Sequence, residues 1–297
     1  MRRTLRVFQV DAFTQTPFTG NPATVVLDGE GLSDEQMRAV AREFAKGDAA
    51  FVLPATAPDH DLCVRFFMPD KEAPFVGHAT LAVHAVLARQ APQPVRRQSG
   101  RSGIVEVRAL DDGSFAISQP PPALAREPQQ HEMQALLPLL GLEPADLDAA
   151  CPPRIAGTAS TRLIIALRDI AALDALRPQL PQLAAMSATL GAHGYFLFTR
   201  SGSRAGCLTE SRMFCPALGI DEDPVSGNAH AMLAVLLQER GLLPSAGGCA
   251  RFTGAQGRHV GRPGRVDVSL ELDPAGRPLA VSISGQAVVV LEGSAVF

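Results

Sequence analysis

The segment Arg65-Phe66-Phe67-Met68-Pro69 has a second version further along the same chain, Arg212-Met213-Phe214-Cys215-Pro216. Both read Arg-x-Phe-x-Pro, about 150 residues apart. A few residues on, Pro74-Phe75-Val76-Gly77-His78-Ala79 is matched by Pro224-Val225-Ser226-Gly227-Asn228-Ala229. Each Gly is followed by a long apolar helix pattern, Ala79–Ala88 and Ala229–Gln238. The flanks agree in kind. Val105–Ile117 alternates like a strand pair around Asp112-Gly113, and Val266–Ile283 does so around Asp273-Pro274-Ala275-Gly276. Phe51-Val52-Leu53 and Phe196-Leu197-Phe198 are short apolar strands, each preceded by a helix pattern. Several matches in one order, at offsets of 145 to 150 residues, indicate an internal duplication, so the chain is one sheet-and-helix unit made twice. Two independent domains with similar turns are the simpler alternative.

The length of 297 residues suits two halves of this size. Pro120-Pro121-Pro122, followed by Arg126-Glu127-Pro128, is the expected seam. At the front of the first half, Ser33 and Gln36 form a capping box. Met37, Val40, Ala41 and Phe44 follow as one apolar helix face.

The charge is near balance, 27 Lys+Arg against 30 Asp+Glu, and gives no basic excess for a nucleic-acid or membrane-surface partner. No apolar run approaches the roughly 20 residues of a membrane span, and no signal-type stretch follows the basic N-terminus. The five Cys are odd in number, scattered and without a Cys-x-x-Cys pair, so a reduced, cytoplasmic setting is expected. The seven His form no His-x-x-x-His or His-Glu-x-x-His pair, so no metal site is expected.

A helix start exposes unpaired N–H groups and partial positive charge, and a Gly there lets a ligand come close. Two such starts, one per half, suit a small carboxylate-bearing molecule held in a cleft. His78 stands at one start, and Asp223, Ser226, Asn228 and His230 at the other. Each has a plain structural alternative: packing for the histidines, turn opening for Asp223 before Pro224, helix capping for Asn228. Lys46-Gly47-Asp48 reads equally as a helix terminus and turn.

Taken together, these residues resemble the PhzF family, the phenazine-biosynthesis isomerase-like proteins. The resemblance runs through Val10-Asp11-Ala12-Phe13, Pro17-Phe18-Thr19-Gly20-Asn21-Pro22-Ala23, Met37–Phe44 and Phe51-Val52. It continues through Arg65–Pro69, Glu72–Thr80, Ser211–Phe214 and Gly219–His230. It implies an α+β, diaminopimelate-epimerase-like fold: two halves, each a curved, mostly antiparallel sheet wrapped around a central helix. The halves would be 1–119 and 120–284, with a strand from 285–297 returning to the first and the active site in the cleft between them. Ala287–Leu291 is the expected core of that strand.

The same fold hosts racemases that place a Cys just before each of the two glycines. Those positions are Val76 and Ser226 here, which excludes two-thiol chemistry, because a thiolate base has to be a Cys. The resemblance places the catalytic acid/base at Asp48, with Gly47 and Ala49 where the family has hydroxyl residues and Asp48 where it has Glu. Asp48, His78 and Asp223 are then the catalytic set, and Asn21, Gly77, Ser226, Gly227 and Asn228 the substrate-binding set. Relative to Glu, the carboxylate reach shortens by one methylene, about 1.5 Å. The expected activity is a cofactor-free isomerisation, with a proton taken from and returned to a small unsaturated carboxylate. For the phenazine-pathway member the resemblance implies dihydro-3-hydroxyanthranilate, and the changed segment around Asp48 argues against that substrate here. The other reading is a binding or regulatory protein that kept the cleft and lost the chemistry. A homodimer is the expected assembly.

Overall fold

The computed structural model describes residues 3–44, 48–157 and 160–296. Lys46 and Gly47, the first part of the expected turn, lie outside the described residues. The chain divides into two compact units, Met1–Gln119 with Ser284–Phe297, and Pro120–Ile283. Among the described residues, no helix is long and apolar enough to cross a membrane.

In the first unit the strands are β1 (Thr4–Ala12), β2 (Asn21–Val26), β3 (Asp48–Pro54), β4 (Leu62–Phe67), β5 (Glu72–Ala73), β6 (Val95–Gly100), β7 (Gly103–Ala109) and β8 (Phe115–Gln119). Helix α1 (Asp34–Phe44) joins β2 to β3, and α2 (Gly77–Gln90) lies between β5 and β6. The Ser33–Gln36 capping box forms as expected: the Ser33 N–H donates to Gln36 Oε1 at 2.9 Å, and the Gln36 N–H to Ser33 Oγ at 3.2 Å. Met37, Val40 and Ala41 are buried, but Phe44 is exposed, because it closes the last turn where the helix leaves the sheet.

The second unit holds α3 (Gln130–Leu140), β9 (Arg154–Ala156), β10 (Arg162–Leu167), α4 (Ile170–Ala175), α5 (Leu180–Leu190), β11 (Tyr195–Thr199), β12 (Thr209–Cys215) and β13 (Ile220–Asp223). It continues with α6 (Gly227–Glu239), β14 (Ser245–Ala246), β15 (Cys249–Gln256), β16 (Gly264–Leu272) and β17 (Pro278–Gly285). The last strand, β18 (Ala287–Val296), pairs antiparallel with β1 of the first unit along its length.

Strand pairing shows why the sequence repeats. Most pairs are antiparallel, but β2–β3 and β4–β6 in the first unit, and β10–β11 and β12–β15 in the second, are parallel. A parallel pair needs a crossover, and each is supplied by a helical segment. Helix α2 crosses between β4 and β6, and α6 between β12 and β15. Both helices are buried around their circumference: every residue from Ala79 to Val86 in α2, and from Ala229 to Leu237 in α6. A helix apolar all round has to be enclosed. Helix α2 packs on β1, β2, β3, β8 and β18, and α6 on β10, β15 and β16.

The Arg-x-Phe-x-Pro motif has a physical role in both units. Arg65 Nε and Nη2 donate to the two oxygens of Glu72 at 2.9 and 2.8 Å. Arg212 Nε and Nη2 donate to those of Glu222 at 2.9 and 2.8 Å. The guanidinium also sits over the motif's own Phe, at 4.9 Å for Phe67 and 5.0 Å for Phe214. Glu72 and Glu222 each stand five residues before the helix-starting Gly. The paired forks therefore hold the β4–β5 and β12–β13 hairpins that deliver the chain to α2 and α6.

The two cores differ at one matched place. Thr80 in α2 bonds the Val76 carbonyl at 2.9 Å, and His230 Nδ1 in α6 bonds the Ser226 carbonyl at 2.7 Å. Beside Thr80 the neighbouring strand supplies Gln98, whose Nε2 lies 3.4 Å from Thr80 Oγ1. Strand registers put Gly254 at the corresponding place in the second unit, since Leu62 faces Gln98 and Thr209 faces Gly254. A Cβ on Gly254 would collide with the His230 ring. The small helix residue thus meets a long strand side chain in one unit, and the large one faces a glycine at that strand position in the other. Gly254→Ala is expected to cost about 2 kcal/mol in urea unfolding, an overpacking penalty. Adding His230→Thr should recover most of that loss; strictly additive losses in the double variant would contradict the swap.

Candidate functional site

The sequence places Asp48 and His78 thirty positions apart; the fold brings them together. Asp48 opens β3, which runs parallel to β2 with Ala23 opposite it. His78 is the second residue of α2. Its Nε2 lies 3.5 Å from Asp48 Oδ2, and the two side chains are 14% and 16% exposed. Burial pushes the Asp48 carboxyl above the ordinary carboxylate range, while His78 and Lys71 oppose the shift. Burial pushes the His78 imidazole below its ordinary value, while Asp48 opposes that shift. The same burial thus moves the two proton affinities toward each other. Among the described residues, no hydrogen-bond partner is seen for the buried His78 Nε2.

The other first-unit candidates lie around this pair. Gly77 is the first residue of α2, and Val76, its N-cap, has no side-chain hydrogen bond to offer the first turn. Asn21 is buried at the start of β2, two residues before the Ala23 that faces Asp48. Gly47, expected to replace a hydroxyl residue, lies outside the described residues. Ala49 is fully buried in β3 and offers no polar group.

The second-unit candidates gather at the start of α6. Ser226 is the N-cap, and its Oγ accepts the Ala229 N–H at 3.3 Å. The capping role open to Asn228 therefore falls to Ser226, and Asn228 is exposed in the first turn. Gly227 is buried. Asp223 ends β13 and is half-buried. His230 is fully buried, and burial pushes it down to about 4, so it is a neutral core residue hydrogen-bonded to the Ser226 carbonyl.

One residue here escaped the sequence reading. Gln256, fully buried, accepts the Ser226 N–H on Oε1 at 3.1 Å and donates through Nε2 to the Asp223 carbonyl at 2.7 Å. It closes the Asp223–Ser226 turn from inside. The matching place in the first unit is Gly100, because Ser211 faces Gln256 and Val64 follows the Cys63–Ser99 pair. The first unit's turn lacks this clamp and this cap. No signal in the sequence marked Gln256, since its partners are backbone atoms in a distant segment. Among the described residues, no group of three His, Cys, Asp or Glu is placed to hold a metal ion.

Two repeated α+β units, each with a sheet around a buried helix, define the diaminopimelate-epimerase-like class. Within that class the match is narrower. The model of the phenazine biosynthesis-like proteins, PhzC-PhzF, matches residues 10–293, and the chain belongs to that family. A protein of Escherichia coli (strain K12) named an uncharacterized isomerase is 35% identical over 96% of this chain and 96% of its own. The trans-2,3-dihydro-3-hydroxyanthranilate isomerase of Pseudomonas aeruginosa is 30% identical over 98% of this chain and 99% of its own. The crystal structure of a Bacillus anthracis PhzF-family protein superposes with a TM-score of 0.87 at 24% identity, covering 99% of this chain and 100% of that one.

The raised Asp48 carboxyl carries a stability signature. Between its unfolded and folded values the native state binds more protons than the unfolded one, so stability falls as pH rises through that window. Asp48→Asn removes the effect. The variant is expected to be more stable than wild type at pH 7, with the advantage shrinking toward pH 3, as read from urea midpoints. An advantage independent of pH would contradict the assignment.

Proposed function

We propose that this chain is a cofactor-independent isomerase in which Asp48 moves a proton between two carbons of a small, unsaturated, carboxylate-bearing substrate. The observation that supports it most is the Asp48–His78 pair, with the acid raised and the imidazole lowered by the same burial. Groups whose proton affinities approach each other exchange protons at small cost, and a base poised nearer neutrality abstracts and returns a proton efficiently. In this reading Asp48 takes the proton from a carbon next to the unsaturated system, and the resulting acid gives it back at another carbon. The net change is a shifted double bond, with no electron or group gained or lost. His78, neutral, keeps Nε2 toward Asp48 and orients or relays the proton.

The first-turn N–H groups, to which the N-cap Val76 offers no side-chain acceptor, would hold the substrate carboxylate together with Asn21 and Gly77. Asp223, Ser226, Gly227 and Asn228 would be the substrate-holding groups of the second unit. The isomerase names of full-length relatives agree with this chemistry. The shortened reach of Asp48 points to a substrate seated differently from the one in the hydroxyanthranilate isomerase's name. A misplacement near 1 Å costs on the order of 100-fold, so the original substrate is expected to turn over poorly.

The test is deuterium incorporation in D₂O across a panel of unsaturated cyclic carboxylates that includes trans-2,3-dihydro-3-hydroxyanthranilate. Wild type should label at least one of them at carbon, and Asp48→Asn should lose roughly 100-fold or more of that rate. Labelling unchanged by Asp48→Asn would remove Asp48 from the role. Labelling of none, restored by Gly47→Ser with Asp48→Glu and Ala49→Thr, would make the chain a binding protein instead.

A further inference from the structure

A second cluster of reactive groups lies at the far end of β3 and β4. Cys63 faces Leu53 across that pair, five residues along β3 from Asp48, or about 16 Å. Cys63 Sγ lies 3.2 Å from His60 Nε2, and His60 Nδ1 lies 2.7 Å from Asp59 Oδ1. The order is thiol, imidazole, carboxylate, the arrangement in which a base relieves a nucleophile of its proton while a third group holds the base.

The hydrogen bonds fix the imidazole's protonation. The backbone N–H of Thr56 is a donor only, and it points at His60 Nε2 from 3.0 Å. Nε2 therefore carries its lone pair, and the ring proton sits on Nδ1, facing Asp59. The Thr56 hydroxyl stands 3.2 Å from Nε2 and 3.6 Å from Cys63 Sγ. It is able to donate to the sulfur once the thiol proton has left. The His60 side chain is 4% exposed and the Asp59 side chain 57%, so the base is fixed while the anchoring acid meets water. Cys63 is partly exposed, which gives a reagent access.

The other thiols lack these features. Cys151 and Cys215 are buried, and burial pushes each up to about 11. Cys249 is as partly exposed as Cys63, but the one hydrogen-bond partner of its Sγ among the described residues is the Ala250 carbonyl at 3.9 Å. Cys207 is also partly exposed, and burial pushes its thiol up.

We infer that Cys63 is a covalent modification site that forms mixed disulfides with small disulfide compounds, with His60 accepting its proton and Asp59 positioning His60. Cys63 Sγ attacks one sulfur of the reagent, a new S–S bond forms and the reagent's own S–S bond breaks. The thiol proton passes to His60 Nε2, which releases the Thr56 N–H, and goes on to the departing thiolate. The reagent disulfide is the oxidant, and one free thiol leaves for each thiol consumed.

The whole protein is treated with an aromatic disulfide that releases a coloured thiolate, and the modified cysteines are quantified by peptide mass spectrometry at early times. Cys63 should react on the order of tenfold faster than Cys249 or more, with Cys151 and Cys215 unmodified. His60→Asn should bring Cys63 down to the Cys249 rate, and Asp59→Asn should slow it to a lesser degree. Should His60→Asn unfold the protein, Cys151 and Cys215 would become reactive and Asp59→Asn decides the matter, its site being at the surface. Equal rates for Cys63 and Cys249, or a Cys63 rate untouched by the folded variants, would overturn the inference.

Discussion

A helix buried around its whole circumference is the constraint from which the rest of this protein follows. Helix α2 exposes no polar face from Ala79 to Val86, so a sheet has to enclose it, and the strands of the first unit do so. Enclosure leaves chemistry one natural place, the helix start, where N–H groups lack intrahelical partners. It also removes water from whatever stands there. Asp48 and His78 meet at that start, and burial moves the carboxyl up and the imidazole down. The electrostatics of the pair are a consequence of packing an apolar helix inside a sheet.

The duplicated unit is alike at the forks that hold its shape and different at the helix starts. Both halves keep the Arg–Glu fork and the stacked Phe that aim the chain into the central helix. The starts themselves have diverged. The second is capped by Ser226 and clamped by Gln256, while the first has Val76 and Gly100 at the matching places. The second unit thus has a capped, hydrogen-bonded helix start, and the first has one without a side-chain cap beside a carboxylate. The exchange of Thr80 and Gln98 for His230 and Gly254 shows a large side chain moved from the strand in one unit to the helix in the other.

Much of the fold was legible because its signals are local or repeated. The Ser33–Gln36 box, the strand pair around Asp112-Gly113 and the two Gly-started helices all follow from nearby residues. The repeat itself placed the Arg motifs without showing what they bind, because Glu72 and Glu222 lie outside the motif, seven and ten residues on from Arg65 and Arg212. Phe44 was misplaced because helical period alone does not show where the sheet ends. Gln256 and the Asp48–His78 contact depend on strand register between distant segments, which residue spacing does not encode. His230 shares the α6 start with the candidate residues in sequence, and its complete burial makes it a core residue instead.

The account turns on one carboxyl group. Carbon-13 NMR titration of the side-chain carboxyls, with Asp48→Asn to assign the signal, measures that group without any substrate. One aspartate should titrate above the ordinary carboxylate range, and its signal should vanish in the variant. An Asp48 signal that titrates at or below the range of the other aspartates would contradict the desolvated pair on which the proposed chemistry rests.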